Sequence, residues 1–197
     1  MSSEPGRANT ASTRRTQAER RAESRQAVLD SACRLFGQQG YAQTSLEEIA
    51  ADCDLTIRPI YHYFGNKKAL FAAVNEVMEA RILAAHQEAG PMDNWRAFLN
   101  LCDDPDFRRI VLVDSPIVLG RERWSSSAVF AKARKALDTS RKTSATQQFR
   151  TALQSRAMLA AFTEAALMVA ESEDLQLAKR EAERLIVKLS ALLTDPD

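Results

Sequence analysis

Apolar positions recur at helical spacing along nearly the whole chain. Between Thr16 and Gln39, Val28, Ala32, Leu35 and Phe36 fall on one stripe, which predicts an amphipathic helix with Gly40 as its stop. Two overlapping Ser/Thr-x-x-Glu spacings follow, Thr44 with Glu47 and Ser45 with Glu48, so a short helix starts there with Leu46, Ile49, Ala50 and Cys53 on its apolar face. Asp54 and Leu55 interrupt it. Thr56 is placed to cap a second short helix with Pro59 in its first turn, where a missing N–H costs nothing, and Ile60, Tyr61 and Phe64 follow. Gly65-Asn66 ends that helix, and Asn66 can cap a longer one from Lys67 to about Glu88.

Gly90-Pro91 marks a break, and the domain boundary is placed between Glu88 and Asp93. Beyond it the pattern predicts a helix capped by Asp93 that runs through Cys102, and another from Asp104-Pro105 to about Val113. Ser115-Pro116 reads as a bend, after which a helix runs towards Ser140 with Gly120 as its weak point, and residues 139–146 read as a loop. Two long helices close the chain. In the first, Gln147 to Glu171, Phe149, Leu153, Ala160 and Leu167 form a stripe, and Ala157, Ala161 and Ala165 form a row of small residues. In the second, from about Asp174, Ala178, Ala182, Leu185, Leu189 and Leu192 alternate at four and three residues, like the seam of a coiled coil. Either row serves packing within the chain or against a second copy.

Composition agrees with an all-α fold. The 197 residues include only 6 Gly and 6 Pro, and 45% of positions are apolar, enough for a sizeable core. Net charge is +1, but residues 1–70 hold 10 Lys/Arg against 8 Asp/Glu. Residues 1–14 read as a flexible basic arm; Arg7, Arg14, Arg15, Arg20, Arg21 and Arg25 crowd the start of the chain, which suits either phosphate binding or simple solvation. Cys33, Cys53 and Cys102 are far apart, without metal or disulfide spacing, and no stretch is apolar enough to cross a bilayer. The expectation is a cytoplasmic protein without cofactor or metal. No nucleophile–base set or phosphate loop points to an enzyme.

Residues 44–64 (TSLEEIAADCDLTIRPIYHYF) carry the most information. Two short capped helices joined by a tight turn, both with an apolar inner side, meet the requirements of a helix-turn-helix, whose second helix enters the major groove of DNA. At Gly40, Tyr41, Thr44, Ser45, Ile49, Ala50, Tyr61, Tyr63, Phe64, Lys67 and Leu70 the sequence resembles the TetR family of bacterial regulators, over about residues 20–75. Asp114–Gly120 (DSPIVLG) and Thr163–Ala170 (TEAALMVA) resemble one branch of that family's effector domains.

The resemblance implies an all-α protein with an N-terminal three-helix helix-turn-helix domain, residues 15–66, followed by a linking helix and an effector-binding and dimerisation domain, residues 67–197. It implies a homodimer on a palindromic DNA operator, acting most often as a repressor and released by a small molecule, here expected to be apolar or aromatic. Thr44 and Ser45 are expected to meet phosphate through hydroxyl and backbone N–H. Thr56, Arg58, Pro59, Tyr61 and His62 belong to the groove-facing helix, Tyr63 is a phosphate or packing contact, and Lys67 reaches a phosphate. Asp54 stands where the family's turn commonly has Gly, and Asp is among the few residues that tolerate positive φ. Arg58 stands where Gly is common and either reads guanine or clamps a phosphate. His86 either faces an effector cavity or caps its helix; Trp95, Phe98, Trp124, Phe130 and Phe162 are the other candidate pocket residues. Ala157, Ala161, Ala165, Leu185, Leu189 and Leu192 are candidates for the dimer face. The competing expectations are a TetR-type activator and a helical partner-binding protein whose helix-turn-helix no longer binds DNA.

Overall fold

A computed structural model describes residues 16–85, 91–120, 127–137 and 144–194. Among them every regular element is helical. The basic arm, His86, Trp124 and the start of the expected 139–146 loop lie outside the described residues.

Helix α1 (Gln17–Gln39) begins with a complete capping box: Thr16 accepts from the Glu19 N–H, and the Glu19 side chain accepts from the Thr16 N–H. It ends at Gly40, whose φ of 85° lies in the left-handed region. Short helices α2 (Leu46–Asp52) and α3 (Ile57–Phe64) cross its buried stripe of Val28, Ala32, Leu35 and Phe36. Helix α4 (Lys67–Ala85) follows; Asn66 caps it through the Ala69 N–H at 2.8 Å, and Leu70, Phe71, Val74, Met78 and Ile82 are buried along it. Phe36, Tyr41 and Phe71 form an aromatic knot with centroids 5.1–5.8 Å apart, which locks the ends of α1 and α4 together.

The later elements pack on α1, on α4 and on one another. Helix α5 (Pro91–Leu101) starts at Pro91 itself, two residues before the expected Asp93 cap. Helix α6 (Pro105–Arg108) is capped by Asp104 and passes straight into a π-helical segment (Arg109–Asp114) and then α7 (Ser115–Val118). The bend expected at Ser115-Pro116 is therefore absent. A proline ring collides with the carbonyl four residues back, here that of Leu112. That carbonyl lies in the widened π segment, which accommodates a ring that a regular α-helix rejects. The expected continuation to Ser140 is interrupted at Gly120, with φ 88°, and within its range Ala128–Leu137 forms α8. Helix α9 (Ala145–Glu171), capped by Ser144, and α10 (Leu175–Thr194) pack on each other and complete the body. Between α10 and the α5–α6 region run Arg96–Glu183 at 2.6 Å and Lys179–Asp103 at 2.9 Å.

One continuous core runs from Val28 of α1 to Ile186 of α10. Ile186 is wholly buried, although the expected seam passed it over in favour of Leu185, which is 53% exposed. The seam is split: Ala178, Ala182 and Leu189 pack against the core, whereas Leu185 and Leu192 face outward. The small-residue row is split too. Ala157 is exposed, Ala161 half-buried, and Ala165 buried within its own chain.

Candidate nucleic-acid interface

The turn between α2 and α3 is built by Asp54, the one non-glycine residue with positive φ (53°) among those described. Leu55 N–H closes the turn on the Ala50 carbonyl at 2.9 Å. An aspartate here adopts the left-handed conformation that glycine adopts more cheaply, so the departure from the family pattern preserves the turn.

Helix α3 has two sides. Ile60 is completely buried, and Ile57 and Phe64 pack on the same core. Thr56, Arg58, Tyr61 and His62 are exposed on the other side, with Tyr61 at 52%. Pro59 and Tyr63 are half-buried at the boundary, where Tyr63 touches the rings of His62 and Phe64. Thr56 is the N-cap by backbone conformation, but its hydroxyl makes no capping bond. The guanidinium of Arg25 lies over the Phe64 ring at 5.0 Å and brings a cation of α1 beside the base of α3.

Beside α3 the surface dips into an open depression of about 350 Å³, bordered by the Ala42–Glu47 segment, Tyr61 and Lys67. Lys67 holds its ammonium 4.4 Å from the Tyr41 ring centre and 3.5 Å from the Ala42 carbonyl, which it approaches as a donor. Ser45 is the N-cap of α2 in a capping box with Glu48. Its hydroxyl and backbone N–H both donate to the Glu48 carboxylate, which these bonds hold below the usual carboxylate range. At the other end of α2, Asp52 is held low by the Ser31 hydroxyl and then by Arg34, fixing α2 to α1.

Thr44 differs from expectation. It is 1% exposed, and its hydroxyl is shared between the carbonyls of Leu35 at 3.2 Å and Gly40 at 2.9 Å. The hydroxyl is spent inside the fold and is not offered to a phosphate. Of the two overlapping capping spacings, the chain uses Ser45 with Glu48. Ala42 and Gln43 also border the depression, and their only mark in the sequence is their place before two possible caps.

The expected effector residues are brought together only in part. Trp95 and Phe98 are buried and stacked at 5.8 Å, and Phe162 stacks on Trp95 at 5.0 Å. They form a core wall rather than an open lining. Phe130 lies on α8, where its side chain is not among those described. Asn75 donates to Glu79 at 2.8 Å within α4. The Asn75 Oδ1 and Trp95 Nε1 atoms are buried without a hydrogen-bond partner among the described residues. Burial raises the thiols of Cys33 to about 11 and Cys102 to about 12, so both stay protonated and act as packing groups. No group of three metal-ligating side chains and no membrane-spanning helix occurs among the described residues.

Comparison with known proteins places this geometry. Residues 28–74 match the model of bacterial regulatory proteins of the tetR family, and residues 89–193 match the tetracyclin repressor-like C-terminal domain. The HTH-type transcriptional regulator AcrR of Shigella flexneri is 47% identical over 60 residues, 30% of this chain and 28% of that protein. The HTH-type transcriptional repressor AcnR of Corynebacterium efficiens is 30% identical over 83 residues, 42% of this chain and 43% of that one. The matches thus span less than half the length of these curated relatives. A TetR-family regulator from Pectobacterium atrosepticum superposes with a TM-score of 0.66 at 29% identity, covering 93% of this chain and 100% of that one. The multidrug binding protein EbrR, solved with imidazole, shares the fold with a TM-score of 0.62 at 22% identity, covering 85% and 89%. With both of its segments matched and the second alone covering more than half of its length, the chain belongs to the TetR family of bacterial regulatory proteins.

Proposed function

We propose that this protein is a ligand-responsive transcription repressor that binds a palindromic DNA operator as a homodimer. The observation that carries the reading is the division of α3 into a fully buried Ile60 side and an exposed side bearing Thr56, Arg58, Tyr61 and His62. A helix braced in this way presents polar side chains to base edges without losing its own packing. Residues 15–66 would dock on DNA, with Lys67 and Ser45 flanking the helix as phosphate contacts and Pro59 and Tyr63 shaping its edge. Residues 67–197 would sense ligand and dimerise.

Dimerisation is supported by large apolar side chains that the single chain leaves exposed on α9 and α10: Phe149, Leu153 and Met168, then Leu185 and Leu192. Burying them against a second copy forms a four-helix bundle. Ligand control is supported by α4, which begins at Lys67 and runs unbroken into the body. A ligand that favours a different spacing of the two recognition helices weakens operator binding by its differential affinity for the two states. The Trp95–Phe98–Phe162 stack closes on itself, so a polar ligand finds its support only in the buried, unpartnered Asn75 Oδ1 and Trp95 Nε1.

The test is enrichment from random duplex DNA at about 150 mM salt, where non-specific phosphate binding fades and specific contacts survive. A palindrome with half-sites about one helical turn apart is expected. Failure of the folded, ligand-free dimer to enrich any sequence contradicts the reading.

A further inference from the structure

The Asp114–Gly120 segment lies outside the helix-turn-helix, in the π-helical segment and the helix that follows it. Asp114 is the last residue of the π-helical segment, and its Oδ2 accepts a 2.8 Å hydrogen bond from the backbone N–H of Tyr41, 73 residues earlier. The other end of the same segment reaches the same turn: Arg109 Nη1 donates to the Gln39 carbonyl at 3.5 Å. Gly40 lies between these two contacts. A Cβ there would sit 2.8 Å from Arg109 Nη1, the movable end of a flexible side chain, and 3.4 Å from Asp114 Oδ2, so it is the φ of 85° that favours glycine.

The clamped turn controls a cation. Tyr41 supplies the ring under the Lys67 ammonium, and Ala42, the next residue, supplies the carbonyl that Lys67 approaches. Both groups that fix the Lys67 side chain therefore hang on the backbone that Asp114 holds. The π segment also packs on α1, α4 and α9, so it links the body to the DNA-facing turn.

We propose that Asp114 is a positioning residue for DNA binding: its carboxylate fixes the Gly40–Ala42 turn and thereby sets Lys67 against a phosphate. The inference rests on the DNA-binding reading above. It adds a residue of the C-terminal body to the machinery that orients the N-terminal contacts.

The salt dependence of operator binding tests it on the full-length protein, with the enriched duplex as probe. Asp114→Ala and Asp114→Asn each remove one negative charge per subunit, but only Asn keeps an oxygen to accept the Tyr41 N–H. A purely long-range charge effect moves both variants equally. Asp114→Ala is expected to bind about tenfold more weakly and to lower the slope of log affinity against log salt by about 2, one phosphate contact of ~0.9 from each subunit. Asp114→Asn is expected to stay within about twofold of wild type with an unchanged slope. A wild-type slope in Asp114→Ala, or an Asn variant as impaired as Ala, overturns the proposal. If Asp114→Ala does not fold, Asp114→Glu, which keeps the charge but displaces the oxygen, must lower the slope; an unchanged slope there also overturns it. A wild type that binds no duplex overturns the DNA-binding reading and this one together, whereas a normal wild type with insensitive variants overturns this one alone.

Discussion

Ser45 and Glu48 satisfy each other reciprocally: the Ser45 N–H donates to Glu48 Oε2 at 2.7 Å, and the Glu48 N–H donates to Ser45 Oγ at 3.1 Å. The Ser45 hydroxyl donates to the same carboxylate at 2.8 Å. Both donors expected to meet a phosphate are thus already held by an anion, which a phosphate must displace. Glu48→Gln keeps the capping acceptor and removes the negative charge, so DNA affinity should rise by about threefold, the size of one exposed charge contact. Glu48→Ala should instead lose the cap and lower helix content. Titration of labelled operator, with circular dichroism alongside, checks both; weaker binding by Glu48→Gln would contradict this view of the cap.

Thr44→Val separates structure from contact at the neighbouring position. The substitution preserves shape but leaves the Leu35 and Gly40 carbonyls without their shared donor. Urea unfolding should show a loss of about 1–2 kcal/mol, while the folded variant binds operator as wild type does. A folded variant with normal stability and weakened binding would return Thr44 to the phosphate contacts.

Leu185 and Leu192 lie seven residues apart on α10, and both face outward, at 53% and 75% exposure. Replacing both with lysine should give a monomer by analytical ultracentrifugation, with helicity retained. Operator affinity should then fall by roughly 100-fold, because the second half-site is no longer delivered at high effective concentration. An intact dimer would place the interface elsewhere. Ala161 serves this test poorly, because it packs against its own core.

Asp52 ties α2 to α1 through Ser31 and Arg34, and its carboxyl is held below the ordinary value of about 3.9. A depressed folded value stabilises the protein above the unfolded value, and this contribution disappears as pH falls through the folded one. Wild type should therefore be more stable than Asp52→Asn at pH 7, and the gap should narrow on acidification below about pH 4. Urea midpoints across that range check it; a gap that stays constant with pH contradicts the ionic role.

Much of this was legible in the sequence because short-range signals govern the N-terminal third. The Gly40 stop, the Ser45 cap, the Asp54 turn and the Asn66 cap each depend on a few neighbouring residues, and each occupies its expected place. The failures have a common cause. A hydroxyl within reach of both a helix start and a buried carbonyl, as in Thr44, is assigned only by tertiary packing. The passage through Pro116 depends on a π turn whose packing against α1 and α9 is invisible to local periodicity. In α10 the apolar residues outnumber the buried positions, so spacing alone did not separate Ile186, which faces the core, from Leu185, which does not. The bond from Asp114 to Tyr41 spans 73 residues and left no local trace.

The exposed side of α3 is proposed to read the major groove. This is tested most directly by measuring, in the same salt, the affinity of wild type, Arg58→Ala and Tyr61→Ala for the enriched operator and for random duplex. Both side chains are exposed, so the variants should fold normally. Operator affinity should fall by about 1–3 kcal/mol per side chain while random-duplex affinity changes far less, so discrimination collapses. Operator preference that survives in both variants would contradict it.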